Sequence, residues 1–289
     1  MKPVGAAAVL ECVVNVSEGR DPDVVAAIAA AGAGSLLDVH TDPDHHRSVL
    51  TLAGPGPDLE DSVRAVARAT LELIDLRQHE GIHPRLGALD VVPFVPLDPG
   101  GSPGGPGVDL IPAVEARDRF AAWAGQELGL PCFVYGPERT LPEIRRGAFG
   151  RLLPDTGPPG PHPSAGACAV GARSALVAYN VWLTTPDVAV ARAVAAAIRG
   201  PAVRALGLAL GEATQVSCNL VDPFAFGPAQ VYDAVRRLAE EAGTHVDRAE
   251  LVGLAPASVV EAVPAARRHA LDLGLDCTVE ARLSRLGSS

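Results

Sequence analysis

The chain has 289 residues, 48% of them hydrophobic and 20% charged, with 34 acidic against 24 basic side chains for a net charge of −10. That composition excludes a disordered chain and the basic face on which non-specific nucleic-acid binding rests, and no apolar run reaches the roughly 18 residues that span a bilayer. The length lies beyond the size at which single cores usually divide, so two domains are the default.

The N-terminal stretch "MKPVGAAAVLECVVNVSEG" lacks a strongly basic region and reads on as a strand, so no targeting signal is expected. "VLECVVNVS" is the first predicted strand. Asp21-Pro22 then supplies an N-cap and a first-turn proline for a helix through "DVVAAIAAAG". "SLLDV" and "RSVLTLAG" follow as strands. "DLEDSVRAVARATLELIDLRQ" carries apolar residues at helical spacing with acidic residues in its first turn, and "LDVVPFVPL" is a buried strand after it. The order is βαββαβ. A Gly/Pro loop at 98–107, a helix around "IPAVEARDRFAAWAGQELG" and a strand "CFVYG" extend this unit.

The second half repeats the order: strand "ALVAYNVWLTT", helix "DVAVARAVAAAIR", strands near 203–210 and at "QVSCNLVDP", helix "PAQVYDAVRRLAEEAG", then a strand and a final helix. The expected boundary separates an N-terminal subdomain, 1–173, from a C-terminal one, 174–289. Two such units, each a sheet with helices on one side, leave two sheet faces to pack or to enclose a cleft. Between them "DTGPPGPHPSAGACAVGA", 155–172, is nearly free of large side chains. It reads as a linker or as a backbone-rich loop against which a flat ligand lies.

Five dispersed cysteines (Cys12, Cys132, Cys168, Cys218, Cys277) predict reduced thiols in a cytoplasmic protein. Lys2 is the only lysine, so an internal anion site must be built from arginine, whose planar fork binds both carboxylate oxygens. "HEGIH", 79–83, matches H-E-x-x-H, which binds zinc only when both histidines project from one continuous helix. Pro84 pushes His83 out of the α region and Gly81 weakens the helix, so the helix is expected to stop near His79. "DPDHHRS", 42–48, groups Asp42, Asp44, His45 and His46, but adjacent loop histidines rarely reach one ion and Asp-Pro-Asp is ordinary turn chemistry. His83, on a proline-defined turn before a buried strand, can exchange a proton near neutral pH, with Arg85 placed to hold an anion beside it. Taken alone, it also fits a structural or surface residue.

The motifs "ECVVNVSEGRDPDVVAAI", "LLDVHTDPDHHRSV", "GIHPRLGALDVVPFVPL", "PSAGACAVGAR" and "ALVAYNVWL" occur in the order and at nearly the spacing of the glutamate formimidoyltransferase family, the transferase portion of formimidoyltransferase-cyclodeaminase. The chain resembles that family from about residue 10 to about 260. The resemblance implies an α/β fold of the α+β sandwich type, in which two βαββαβ-like subdomains have facing sheets and a ligand tunnel between them. It implies transfer of a formimidoyl group from N-formimino-L-glutamate to tetrahydrofolate as co-substrate, in histidine breakdown, with no metal required.

On the same resemblance His83 is the catalytic histidine, and Arg47 aligns with a family arginine that could hold a substrate carboxylate, though it also fits a solvated strand-start residue. The folate-binding loop aligns with Gly157, Pro158, Pro159, Gly160, Pro161, His162, Pro163, Ser164, Ala165 and Gly166. His40, Arg85 and Gly87 fall at the same expected site. The implied partners are folate and formiminoglutamate, with neither nucleic acid nor membrane, and a homodimer is expected.

The chain departs from the family at His40 and Ile82, where carboxylates are common, and at Ala165, where tryptophan is common. These departures support a second reading, a folate-binding relative with another one-carbon donor or none. A zinc hydrolase using His79 and His83 is a third. Ending with "LSRLGSS", the chain is expected to lack cyclodeaminase activity.

Overall fold

The computed structural model describes residues 8–80 and 85–287. His83 and Ile82, with Gly81, Pro84 and Lys2, lie outside the described residues. The chain divides into two compact units, one built from residues up to 101 together with 108–173, the other from 102–107 together with 174 onward.

The first unit runs β1 (Val9–Val16), α1 (Pro22–Ala31), β2 (Leu36–Asp42), β3 (Arg47–Pro55), α2 (Gly56–Leu73), β4 (Leu89–Pro96), α3 (Ile111–Glu127), β5 (Cys132–Tyr135), α4 (Leu141–Gly147) and β6 (Cys168–Ala172). Its sheet has the order β2-β3-β1-β4-β6-β5. β1 is antiparallel to β3 and β4, whereas β6 is parallel to β4 and β5. Asp21 caps α1, its carboxylate accepting the Asp23 and Val24 N–H groups, as Asp-Pro at a helix start requires.

Strand alternation decides which side chains meet the helices. Leu10, Cys12, Val14 and Val16 of β1 share a core with Ile28 of α1, Leu59, Val63 and Val66 of α2, and Phe120 and Ala124 of α3. Glu11, Val13 and Asn15 therefore stand on the opposite face. Val91, Phe133, Tyr135 and Ala169, which alternate with core residues of the first face, pack there with Ile144 of α4.

Two expectations need correction. Residues 168–172, read as part of a linker or loop, form β6 in the interior of the sheet. Their small size reflects crowding: a Cβ at Gly171 would lie 2.1 Å from Cζ of Tyr135, whose ring occupies that space. α2, expected to reach Gln78, ends at Leu73 and is followed by a separate 3₁₀ turn, Leu76–Gln78. α4 was not anticipated, although its start has the Thr-x-x-Glu signature; the Glu143 carboxylate accepts from the Thr140 N–H and hydroxyl, both at 2.7 Å.

The second unit has β7 (Val177–Leu183), α5 (Val188–Ile198), β8 (Val203–Leu210), β9 (Ala213–Leu220), α6 (Pro228–Glu241) and β10 (Val246–Val252), in the sheet order β10-β7-β9-β8 with every pair antiparallel. The βαββαβ order read from the sequence is present. Three short helices follow rather than one: α7 (Ala257–Glu261), α8 (Ala265–Arg268) and α9 (Val279–Leu286). Val181, Leu183, Val216 and Cys218 pack with Val194 and Ala195 of α5 and with Val231 and Val235 of α6. Cys12, Cys132, Cys168 and Cys218 are buried thiols, Cys277 is half-buried, and burial pushes the Cys218 thiol up to about 12. Among the described residues no helix is long and apolar enough to cross a membrane.

α5 lies directly on β8 at Gly207, where a Cβ would meet Arg192 N at 2.3 Å and Ala191 C at 2.4 Å. Both are backbone atoms, so α5 would have to lift. Gly207→Ala is expected to cost about 1–3 kcal/mol in urea unfolding, the range for overpacking a close-packed interior. Gly200→Ala, with nothing within 4 Å of the added carbon, should change the midpoint little.

Candidate active site

The segment entering β4 is held by backbone contacts that exclude side chains. A Cβ at Gly87 would lie 2.1 Å from Ala167 O and 2.6 Å from Ala165 O. Only glycine permits that approach. Across it, Ala88 N–H donates to Ala165 O (2.9 Å) and Ala167 N–H to Leu86 O (3.0 Å), while Ser17 donates from its N–H to Ala88 O (2.8 Å) and from its hydroxyl to Gly87 O (2.9 Å). Gly166 adopts φ 69°, where a Cβ would fall 2.3 Å from Leu86 O. The two stretches expected from the sequence to form a site, 85–87 and 157–166, are thus brought side by side.

The loop is exposed where a ligand would meet it. Gly157, Pro158, Pro159, Gly160, Pro161 and Pro163 are exposed, Ser164 and His162 are half-buried, and Ala165 is fully buried in the core. His162 closes the turn, pairing with Gly166 through backbone bonds of 2.7 and 3.0 Å while its Nδ1 accepts the Ala165 N–H at 3.1 Å. Ser164 O accepts from Leu76 N–H at 2.8 Å, which ties the loop to the turn after α2.

Beside this junction a polar network occupies the face of the sheet opposite α1, α2 and α3. Arg47, at the start of β3, donates from Nε to Asn15 Oδ1 at 3.0 Å and from Nη2 to the same oxygen, and its Nη1 lies 3.7 Å from Asp90 Oδ2. Asp90, 1% exposed, accepts the Leu86 N–H on Oδ1 (2.6 Å) and Arg145 Nη2 on Oδ2 (2.7 Å). Burial, reinforced by Arg145 and Arg85 and opposed by Asp90, pulls the Arg47 guanidinium down to about 10, so it remains a cation at neutral pH. His40 pairs with Val49, two residues from Arg47 on β3, and so shares this face. Asn15, Asp90 and Arg145 were not among the residues singled out from the sequence. The first two stand inside the quoted motifs; Arg145, on the unanticipated α4, carried no signal.

Among the described residues, His79 does not stand on the helix that the zinc arrangement needs. His79 has φ −101° and ψ 124°, an extended residue capping the 3₁₀ turn, so the continuous helix that H-E-x-x-H requires is already broken at its first residue. Its ring stacks on His46 (3.9 Å between centroids, 21° between planes), and its Nδ1 is hydrogen-bonded to Arg85 Nη1. In "DPDHHRS" the Asp42 carboxylate accepts the Asp44 and His45 N–H groups at 2.8 Å and meets His45 Nδ1 at 2.6 Å. Burial would raise the Asp42 carboxyl, but these bonds to His45 and Asp44 outweigh it and hold it below the usual range. His46, at φ 51°, turns away from that pair toward Gly19 and His79, so the two adjacent histidines serve different partners.

His46 Nδ1 accepts the Gly19 N–H at 3.1 Å, a bond made only by the unprotonated nitrogen, and lies 3.3 Å from Glu18 Oε1, which favours the proton. Burial, then Arg20 and Arg85, outweigh Glu18 and hold the ring below its ordinary 6.5. Because the folded value is depressed, the linked stability is present above 6.5 and is lost as pH falls toward the folded value. By NMR titration His46 should show a midpoint below 6.5, moving upward in Arg85→Gln as a repelling cation is removed. A wild-type midpoint above 6.5 would contradict this.

The pattern described as the formiminotransferase domain, N-terminal subdomain, matches residues 9–173. Glutamate formimidoyltransferase of Streptococcus pyogenes serotype M1 is 34% identical over 280 residues, covering 88% of this chain and 91% of that protein. Its namesake from Thermoplasma acidophilum is 34% identical, covering 86% of this chain and 88% of the relative. Formimidoyltransferase-cyclodeaminase of Sus scrofa is 35% identical over 86% of this chain, which spans only 50% of that longer protein. With the matched region containing both stitched segments and the arginine network, the chain belongs to the formiminotransferase family.

Proposed function

We propose that the protein transfers the formimidoyl group of N-formimino-L-glutamate to tetrahydrofolate, giving 5-formimidoyltetrahydrofolate and L-glutamate, a step of histidine degradation. Its relatives bear the names of that activity. The observation that carries the reading is the backbone junction at Gly87, which sets residues 85–88 of the His-Pro-Arg segment against the 157–166 loop.

In this reading the loop takes the pteridine ring. It fits a flat ligand: a Cβ at Gly160 would meet nothing within 4 Å, and the neighbouring prolines present little but backbone and ring surface. Arg47 and Arg85 attract the donor's carboxylates, and His40 and Gly87 border the same space. His83 takes the proton of the attacking N5 as the N5–carbon bond forms. It then returns a proton to the glutamate nitrogen as the carbon–nitrogen bond breaks, a role worth about 10²–10⁴ in rate. These steps call on proton transfer and arginine charge, with no metal.

The full burial of Ala165, in a loop where relatives commonly carry tryptophan, favours a narrower variant in which folate is held with fewer side-chain contacts. A homodimer in the cytoplasm completes the reading on the family resemblance; light scattering of the purified protein checks the first.

His83→Asn keeps a polar group of similar size that cannot exchange a proton near neutral pH. Turnover is expected to fall about 10²-fold or more with folate affinity little changed, and the acid limb that an unperturbed histidine gives near 6.5 should disappear. Glu80→Gln should retain most activity. Comparing turnover and folate binding across the three proteins decides the matter: near wild-type turnover in His83→Asn removes the proposed base, and collapse in Glu80→Gln revives the metal reading.

A further inference from the structure

In the sequence His83 stands between His79 and Arg85, and those two residues are joined by their side chains. His79 closes the 3₁₀ turn, its N–H donating to Leu76 O at 3.2 Å, and Leu76 N–H donates in turn to Ser164 O at 2.8 Å. Arg85 precedes Leu86, whose N–H is held by Asp90 Oδ1 at 2.6 Å, and then the Gly87 junction. Between the two anchored ends, His79 Nδ1 is hydrogen-bonded to Arg85 Nη1 across six residues of chain. Tying the ends of a short stretch removes most of the conformations open to what lies between.

His79 is braced from its other side as well. The His46 ring stacks on it, with 3.9 Å between centroids and 21° between planes. His46 is delivered there by a left-handed backbone, φ 51°, which costs about 1–2 kcal/mol for a residue with a Cβ. Its surroundings hold it: Nδ1 accepts the Gly19 N–H at 3.1 Å, and Gly19 is wedged against the β2–β3 turn, where a Cβ would lie 2.3 Å from Asp42 O and 2.5 Å from Arg47 N. Strain maintained in this way gathers where geometry matters to function.

We propose that His79 and His46 are positioning residues for the transfer: the His46 ring braces His79, His79 ties across to Arg85, and the tie fixes the segment that carries His83. That role rests on the transferase reading with His83 as its base, and it requires no contact of either histidine with the substrates. It also gives "HEGIH" a purpose without a metal, since its first histidine sets the place of its second. Positioning acts on the chemical step, because a reacting group misplaced by about 1 Å can lose about 10² in rate.

The test is steady-state transfer by wild type, His79→Ala, His79→Gln, His46→Asn, and His79→Ala combined with His83→Asn. Asparagine suits position 46 because it tolerates the left-handed backbone while lacking a ring to stack. His79→Ala and His46→Asn are each expected to lower kcat about tenfold or more, with the folate KM within about twofold and the donor KM moved less than kcat. His79→Gln, which keeps a hydrogen-bonding group toward Arg85 but no ring, should fall between. In the His83→Asn background His79→Ala should cost less than about twofold, since what it positions is already gone; a merely structural His79 would cost the same factor in both backgrounds.

Unchanged kcat in His79→Ala or His46→Asn, a loss confined to KM, or an equal loss in the His83→Asn background overturns the proposal. So does stoichiometric zinc in wild type that His79→Ala loses, because two zinc ligands would show the same coupling with no call on His46. If His79→Ala does not fold, His79→Gln carries the same comparisons. If wild type transfers nothing, the transferase reading falls, and NMR decides the tie by itself. The His83 ring signals, identified by their loss in His83→Asn, should shift in His79→Gln and in His46→Asn, and signals that stay in place overturn it.

Discussion

The first unit depends on one close contact, the approach of the Gly87 backbone to Ala165 and Ala167. A side chain at position 87 would occupy the volume of two carbonyl oxygens, so neither the Leu86–Ala167 nor the Ala88–Ala165 hydrogen bond could form around it. Those bonds form a local antiparallel bridge between Gly87 and Gly166, next to the parallel β4–β6 pairing. They carry the 157–166 loop to residues 85–88 at the entrance of β4. Gly166, held at positive φ, turns the chain out of that contact, and the exposed run 157–161 follows from it.

The chemistry is segregated by strand alternation. One face of the six-stranded sheet is filled by aliphatic residues against α1, α2 and α3, so polar residues of the same strands are delivered to the other face. There Asp90 acts as a buried hub for a backbone amide and two guanidinium groups. A buried carboxylate with all its partners is tolerated; removing one partner leaves an uncompensated charge. The loop at the site and the arginines beside it are coupled through Asp90, since Leu86 belongs to the Gly87 junction. Histidines cluster next to this hub but are engaged with carboxylate, arginine and one another, as the His46–His79 stack and the Asp42–His45 pair show.

Much of this was legible in the sequence. The second unit's element order follows from periodicity alone, because its helices and strands have large aliphatic residues at their proper repeats. Gly81 and Pro84 argued against a zinc helix, and the chain leaves the helix before His79. β6 was hidden because its five residues are small: the interior of the sheet left no room for large side chains, and without them a strand has no periodic signature. α4 was missed despite its capping signal because it is only seven residues long. Arg145 could not be found at all, since what gives it meaning is its distance to Asp90, set by the packing of α4 on the sheet. Asp90 itself stood in the quoted motif, but its partners, Leu86 excepted, are distant in sequence.

The reading of the site as a one-carbon transferase joins the junction, the arginines and His83 in a single reaction whose atoms can be followed. Formiminoglutamate labelled with ¹³C at the formimidoyl carbon, incubated with tetrahydrofolate and the protein, separates transfer from every alternative in one NMR series. The account predicts that the label leaves the donor and appears bonded to N5 of the folate, with glutamate released in equal amount. A label that stays on the donor, or that is released into solution without ever attaching to folate, would contradict it.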